Sequence, residues 1–137
     1  MSAAEAADIR SAIAAFVDAV NRGDQAGAAA RLTDDVTIVE DLPPFHWHGP
    51  KAASEWMLAM FHNAQSAGLA GVVMQLGDAS RTEADGVYGY AIFDGMLICS
   101  GTGPALRAAG VLTFALIRED GGWLIRSFTW SGPAAAP

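Results

Sequence analysis

Helical patterning in this chain is confined to the residues before Gly68, and every segment after it has the pattern of a β-strand. Helices gathered at one end of a sequence and strands at the other are typical of α+β domains, in which helices cover one face of a sheet. We therefore predict an α+β fold, with a curved antiparallel sheet and three helices packed on its concave face around one pocket. The 137 residues fit one domain over 1–137, with an ordered core at about 6–131 and a frayed tail at 132–137.

Capping signals define the first two helices. Ser2 and Glu5 have the spacing of a capping box, in which each side chain bonds the other residue's backbone N–H at a helix start. Gly23 suits the left-handed position just past the end of this helix. Asp24 is then expected to cap a short second helix that extends to Leu32.

The strands are bounded by turn residues. Residues 36–41 alternate between apolar and polar types and predict a strand that Pro43-Pro44 stops, and Pro50 opens the third helix. Further strands are expected at 72–83, 87–101, 105–119 and 123–131. Asp94-Gly95 marks either a hairpin turn or a bulge in one long strand. We favour the bulge, because two short strands would cover the third helix poorly.

The charge balance excludes two classes of partner. The chain has 8 Lys and Arg residues against 15 Asp and Glu residues, which gives a net charge of −7, and its basic residues are scattered singly. A nucleic-acid-binding surface needs clustered basic residues to displace counterions from phosphates. We therefore expect no nucleic-acid partner and no membrane partner.

Composition and the N-terminal residues predict a cytoplasmic homodimer. Cys99 is the only cysteine, so no intrachain disulfide can form, and the N-terminal residues lack the basic segment of a secretion signal. No apolar run approaches the roughly 20 residues needed to span a bilayer. Apolar residues make up 52% of the chain and the mean hydropathy is +0.25, which favours an apolar interface between two copies.

Four local motifs, in their order and spacing, resemble the nuclear transport factor 2-like superfamily, and in particular its SnoaL-like branch. They are Asn-Arg-Gly-Asp at 21–24, Thr-Asp-Asp-Val-Thr at 33–37, Trp-His-Gly-Pro at 47–50 and Glu-Asp-Gly-Gly-Trp-Leu-Ile at 119–125. The resemblance implies a cone-shaped fold whose sheet and helices enclose a pocket. Members include polyketide cyclases, ketosteroid isomerases, dehydratases, epoxide hydrolases and non-catalytic binding modules, so the fold does not define the function.

Two acidic residues end the first predicted strand. Its alternation places Glu40 on the face of Val36 and Ile38, and Asp41 on the opposite face. An acid at the inner end of an apolar strand has a raised pKa, which suits a general base. The resemblance implies a base at this strand end. An ungapped match assigns that role to Glu40, and a one-residue insertion assigns it to Asp41, so both are catalytic candidates.

His46 and His48 are the other catalytic candidates. In an extended segment both imidazoles point to the same side, and the segment follows the strand that carries Glu40. We expect one of them to act as an acid partner of Glu40 or Asp41. No spacing fixes a third ligand, so we predict neither a metal site nor a cofactor.

Aromatic, thioether and hydroxyl side chains are predicted to contact a substrate. These residues are Phe16, Trp47, Trp56, Met60, Ser127 and Thr129. The alternation of the last strand places the two hydroxyl residues on one face with Ile125.

The resemblance also indicates what is missing for steroid isomerisation. It places Phe16 where ketosteroid isomerases carry a Tyr donor, and Leu112 or Thr113 where they carry a protonated acid. Phenylalanine and leucine donate no hydrogen bond to a developing enolate, so we do not expect steroid isomerase activity.

Two functions follow from this pattern. The first is an enzyme that performs isomerisation, cyclisation or dehydration by acid/base chemistry on a small apolar organic substrate, and it requires a buried acid with a raised pKa facing a closed cavity. The second is a non-catalytic ligand-binding or dimerisation module, with an apolar cavity and acids at its rim.

Overall fold

The computed structural model of this protein describes residues 1–132, and it has the α+β fold that the sequence predicts. The predicted tail, apart from Gly132, lies outside the described residues. The helices are α1 (Ala3–Asn21), α2 (Gln25–Ala29) and α3 (Ala52–Ser66). The strands are β1 (Leu32–Val39), β2 (His46–His48), β3 (Gly71–Asp85), β4 (Tyr88–Gly101), β5 (Gly103–Glu119) and β6 (Gly122–Ser131). Within residues 1–132, no helix combines the length and the apolar character required to cross a bilayer.

Local capping sets the helix bounds. Both halves of the capping box form at the start of α1, and Gly23 lies just past the end of that helix with a φ of 70°. The carboxylate of Asp24 accepts a hydrogen bond of 2.9 Å from the N–H of Gly27 and starts α2. The second helix is shorter than predicted, because Leu32 already belongs to β1.

The sheet has the strand order β2-β1-β6-β5-β4-β3. It is mixed rather than fully antiparallel as predicted, because β1 and β6 run parallel while every other pair is antiparallel. The short β2 folds back on one edge of β1 and leaves the other edge free for β6. Strand patterning in the sequence predicts where strands form but not which strands pair.

The strand β4 continues through Asp94-Gly95, which pair with β5 without interruption. The prediction of one long strand is therefore confirmed, but the bulges lie in the neighbouring β3. In the first bulge, the two residues 77–78 of β3 lie opposite the single residue Asp94 of β4. In the second bulge, Ser80 of β3 has no partner on β4. Gly77 is required at this point, since a Cβ there would lie 2.9 Å from the carbonyl oxygen of Asp94.

The core lies between the helices and the inner face of the sheet. Four fully buried aromatic rings form its centre, contributed by α1, α3, β5 and β6. Phe128 lies 5.6 Å from Phe16, 5.3 Å from Trp56 and 5.2 Å from Phe114, measured between ring centroids. The outer face of the sheet carries none of the three helices.

Candidate functional site

Glu40 follows directly on β1, which ends two residues earlier than predicted. The strand alternation continues through it, so Val36, Ile38 and Glu40 all face the interior while Asp41 is exposed. Glu40 is only 7% exposed, and it is the one charged residue among the described residues that is buried. The structure therefore separates the two acids that the sequence left as alternatives.

One hydrogen bond holds the buried carboxyl. The indole Nε1–H of Trp56 donates to Oε2 of Glu40 at 2.5 Å, which joins the end of β1 to α3. The backbone N–H of Glu40 donates to the carbonyl of Phe45 at 3.2 Å and closes the loop between β1 and β2. The position of this acid is thus fixed from both its side chain and its backbone.

Burial raises the pKa of Glu40 above its ordinary value of 4.5. The hydrogen bond from Trp56 stabilises the charged form and acts in the opposite direction, and the neighbouring charge of Asp41 raises the pKa further. A buried carboxyl with a raised pKa is able to take up or release a proton nearer to neutral pH than an ordinary glutamate can.

The structure does not bring His46 or His48 to Glu40. Their rings are parallel and 6.1 Å apart, as expected for an extended segment, but both side chains are exposed. Trp47 between them faces the interior, opposite Ile38, and the histidines pair with the outward residues of β1. His48 Nδ1 lies 3.0 Å from the hydroxyl of Thr37. The expectation of an imidazole partner for Glu40 is corrected, because the indole of Trp47 occupies the inward position.

Ser127 and Thr129 also face outward, contrary to the prediction. They pair with Thr37 and Val39 on the outer side of β1, whereas Phe128 between them is fully buried. The cause is a bulge at Arg126, which has no partner on β5. One extra residue reverses the alternation after it, so that the inward side passes to Phe128.

The aromatic residues that were predicted to contact a substrate instead pack against each other in the hydrophobic core. Phe16 and Trp56 are both fully buried and stack with ring centroids 6.0 Å apart and an interplanar angle of 14°. Trp47 is 5% exposed and fills space beside them in the core. Of the six predicted substrate contacts, Met60 alone belongs to the lining of the pocket that lies between the helices and the sheet.

That pocket has a volume of about 600 Å³ and lies between the C-terminal end of α1, the second half of α3 and the facing parts of β3 and β4. Its apolar lining residues include Val20, Met57, Met60, Ala64, Met74 and Leu97. The helical periodicity indicates that Met57, Met60 and Ala64 are buried. It does not indicate that strand residues from β3 and β4 meet them, because that contact depends on the tertiary fold.

The polar groups of the pocket are amides. Asn21 bonds β3 through both amide groups, since its Nδ2 donates to the carbonyl of Met74 at 2.8 Å and its Oδ1 accepts from the N–H of Met74 at 2.9 Å. Gln25 and Gln65 also lie on the lining, and no charged side chain does within residues 1–132. The pocket therefore offers apolar contact and hydrogen bonding without charge.

The pocket lies next to the aromatic residues of the core. Val20 is one helical turn beyond Phe16, and Met60 is one turn beyond Trp56, so each pair shares a helix face. Glu40, Phe16 and Trp56 are themselves absent from the pocket lining. The acid and the pocket thus both contact α3, but Glu40 does not belong to the lining of the pocket. Among the described residues, no group of three or more His, Cys, Asp or Glu side chains is arranged to hold a metal ion.

Comparison of the sequence with known protein families identifies the family of this chain. The sequence profile of the SnoaL-like domain matches residues 1–129. The chain belongs to the SnoaL-like domain family. A comparison of this SnoaL-like protein with curated protein sequences gives no match.

Solved structures share the fold of this SnoaL-like protein. A protein of unknown function from Mycobacterium tuberculosis has a TM-score of 0.79 and 19% identity, over 96% of this chain and 73% of that one. A nuclear transport factor 2-like protein of unknown function from Pseudomonas putida has a TM-score of 0.77 and 22% identity, over 98% and 91%. A hexachlorocyclohexane dehydrochlorinase from Novosphingobium barchaimii has a TM-score of 0.76 and 16% identity, over 96% and 88%. At these identities the likeness establishes the nuclear transport factor 2-like fold alone.

Proposed function

We propose that this protein binds a small, uncharged, apolar organic molecule in the pocket between α1, α3, β3 and β4. The observation that carries the proposal is the pocket itself, whose volume of about 600 Å³ and largely apolar lining suit such a ligand. Ligand sites in proteins typically occupy about 300–1,000 Å³ and combine apolar walls with a few polar groups. Here Gln25 and Gln65 supply hydrogen-bonding amides on the lining.

The charge distribution supports a neutral ligand. The described lining has no charged side chain to pair with a carboxylate or a phosphate, and the chain carries a net charge of −7. Burial of an unpaired charge in such a site is costly. Three methionines on the lining, Met57, Met60 and Met74, have flexible unbranched side chains that adapt to ligand shape.

Proton transfer by Glu40 is the second candidate function. A buried carboxylate with a raised pKa is a stronger base than an ordinary glutamate, and it suits removal of a proton from carbon in an elimination or isomerisation. The dehydrochlorinase among the similar structures supports this reaction class. Phe16 donates no hydrogen bond to an oxyanion, and Leu112 is buried on the inner face, so neither supplies the second half of a steroid isomerase site.

We further propose that the protein is a cytoplasmic homodimer that associates through the outer face of the sheet. No helix of residues 1–132 covers this face, and it carries exposed apolar side chains, among them Val39, Tyr88 and Val111. Exposed apolar side chains on a sheet face without helical cover are typical of an interface between subunits.

Nile red, a neutral apolar dye whose fluorescence rises in apolar surroundings, tests the binding proposal. We expect saturable binding to the wild-type protein, and loss of at least tenfold in affinity when Ala64→Phe fills the pocket. Ala64 lies on the lining and is 8% exposed. Ala7→Phe, at an exposed position of α1, is the matched control and should bind as the wild type does. Equal affinity in both variants would overturn the proposal.

A further inference from the structure

The first half of β5 extends beyond the rest of the domain. Residues 103–109 are all exposed, although a strand that packs on a core buries every second residue. On one side this segment pairs with β4. The neighbour on the other side, β6, ends at Ser131, which pairs with Val111. Within residues 1–132, no strand therefore lies along this second edge of residues 103–110, which we call the open edge of β5.

The strand register identifies the backbone groups that the open edge presents. Along a strand, the N–H and C=O groups of successive residues point to opposite sides. The N–H of Arg118 donates to the carbonyl of Val87 at 2.7 Å, in the register that β4 and β5 keep as far as Leu106. Even-numbered residues of β5 therefore direct their backbone groups to β4. The odd-numbered residues direct theirs to the open edge, and these are Ala105, Arg107 and Ala109.

The open edge lacks the features that usually protect an edge strand. Natural edge strands often carry several charged side chains, or proline at positions that would otherwise donate a hydrogen bond. Here Arg107 is the single charged residue in the sequence 103–110, and Pro104 lies outside the three donor positions. The side chain of Leu106, between two of these positions, is 67% exposed. The edge thus combines free backbone donors with an exposed apolar side chain.

We propose that the open edge of β5 pairs antiparallel with the open edge of a second copy of this chain, with Leu106 of each copy at the two-fold axis. The two sheets then continue into one another. This contact is separate from the proposed association through the outer face of the sheet, so the two contacts together join dimers into a larger assembly. It does not depend on ligand binding.

The open edge is complementary to itself in one register. When Leu106 lies opposite its copy, Ala105 of each copy lies opposite Arg107 of the other, and both residues direct their backbone groups to the contact. The two leucines then form a non-hydrogen-bonded pair, in which side chains of neighbouring strands are closest. A register centred on Arg107 would place two guanidinium groups opposite each other, and like charges in that position destabilise a sheet.

The charge distribution favours a second copy at this edge. Each chain carries a net charge of −7, so two copies repel each other unless they meet away from their acidic residues. No Asp or Glu occurs in the sequence from Gly95 to Ile117, which contains the whole open edge. The contact therefore forms where repulsion between acidic groups is smallest.

The sequence after β6 is a poor occupant of the open edge. Ser131 pairs with the odd-numbered Val111, so the next residue of that ladder to donate to β5 would be residue 133. This residue is Pro133, which has no N–H. A second copy instead offers a donor at each of the three positions.

We expect the contact to be weak. A single pair of short strands lies at the lower end of interface sizes, below about 1,200 Å² in total, where association is typically transient. The contact should therefore form at protein concentrations above those at which the outer-face dimer is complete.

The test is hydrogen exchange of backbone amides, followed by NMR at low and high protein concentration. The N–H groups of Ala105, Arg107 and Ala109 should exchange rapidly at low concentration and at least tenfold more slowly at high concentration. Ala108 is the internal control, because its backbone groups point to β4 and its N–H should be protected at both concentrations.

A matched pair of variants tests the register by analytical ultracentrifugation. Leu106→Lys places two ammonium groups opposite each other at the axis and should weaken the concentration-dependent association at least tenfold. Val87→Lys makes the same change of charge in the β3–β4 turn, at a residue that is 46% exposed, and should associate as the wild type does.

Three results would overturn the proposal. The first is rapid exchange of the three odd-numbered amides at every concentration. The second is protection of these amides in the monomer, which would show that another segment of the same chain covers the edge. The third is equal association of the wild type and Leu106→Lys.

Discussion

The indole N–H of Trp56 donates to the carboxyl of Glu40 at 2.5 Å, and this bond joins the end of β1 to the middle of α3 inside the core. It connects the buried acid of the described chain to the helix that forms one wall of the pocket. Two measurable consequences follow from this hydrogen-bonded pair, and three further predictions concern the pocket and the outer face of the sheet.

Glu40 should make stability depend on pH in a defined direction. Its folded pKa lies above 4.5, so the folded state binds a proton that the unfolded state has released. The stabilising contribution is therefore complete below pH 4.5 and is lost as the pH rises through the folded pKa. In chemical denaturation, the Glu40→Gln variant should lack this loss, which amounts to at most about 1.4 kcal/mol per pH unit.

The exposed residue Glu55 supplies the control for this measurement. Glu55→Gln lies on the same helix as Trp56 and should leave the pH profile of the free energy of unfolding unchanged. A Glu40→Gln profile that is parallel to the wild-type profile from pH 4 to pH 8 would contradict a raised pKa at this site.

Removal of the indole donor should cost more when Glu40 is charged. Trp56→Phe keeps an aromatic ring against Phe16 but leaves a buried carboxylate without its donor, at a cost of about 1–3 kcal/mol. The loss in the free energy of unfolding should be larger at pH 8 than at pH 4. Trp130→Phe, at another buried indole, should lose the same amount at both pH values. An equal loss at both pH values in Trp56→Phe would show that the hydrogen bond does not favour the charged carboxylate.

The inward position of Glu40 could be predicted because the alternation of β1 is regular from Val36 to the end of the strand. The same reasoning failed at Ser127 and Thr129, because the bulge at Arg126 shifts the alternation by one residue. Bulges arise from tertiary fit between strands, and nothing in the composition of β6 marks this one. His46 and His48 point to the same side of β2, as predicted. That side faces away from the core, so the prediction that one of them contacts Glu40 was wrong.

The location of the pocket could not be predicted from the sequence and was found only in the folded structure. Met60 was predicted from the helical periodicity of α3, but Val20, Met74 and Leu97 come from three other elements. Periodicity indicates which face of an element is buried, and it does not indicate where packing leaves a space. The α+β class could be predicted, in contrast, because it depends only on the order of helices and strands along the chain.

Asn21 should be required for the shape of the pocket. Its amide satisfies both backbone groups of Met74, so Asn21→Ala leaves a backbone N–H and a C=O of β3 without partners. We expect a loss of about 1–3 kcal/mol in the free energy of unfolding together with weaker Nile red binding. Asn63→Ala, at an exposed position of α3, should change neither quantity. Wild-type dye affinity in Asn21→Ala would show that this contact does not shape the pocket.

The proposed homodimer should depend on the outer face of the sheet. Ile92 lies on that face of β4, between the buried residues Ala91 and Phe93, and pairs with Thr113 of β5. Ile92→Glu places a charge in an apolar interface and should convert a dimer into a monomer, as measured by size-exclusion chromatography with light scattering. Ala14→Glu, at an exposed position of α1, should remain dimeric. A monomeric wild-type protein, or a dimeric Ile92→Glu, would exclude this interface.

Methyl NMR of the methionines tests the binding site most directly. Met57, Met60 and Met74 line the pocket, whereas Met96 of β4 does not and serves as an internal control. With methyl-labelled methionine, addition of Nile red should shift the three pocket resonances with one common saturation curve and leave Met96 unchanged. A shift confined to Met96, or no shift at the three pocket methyl groups while the dye binds, would contradict a ligand site in this pocket.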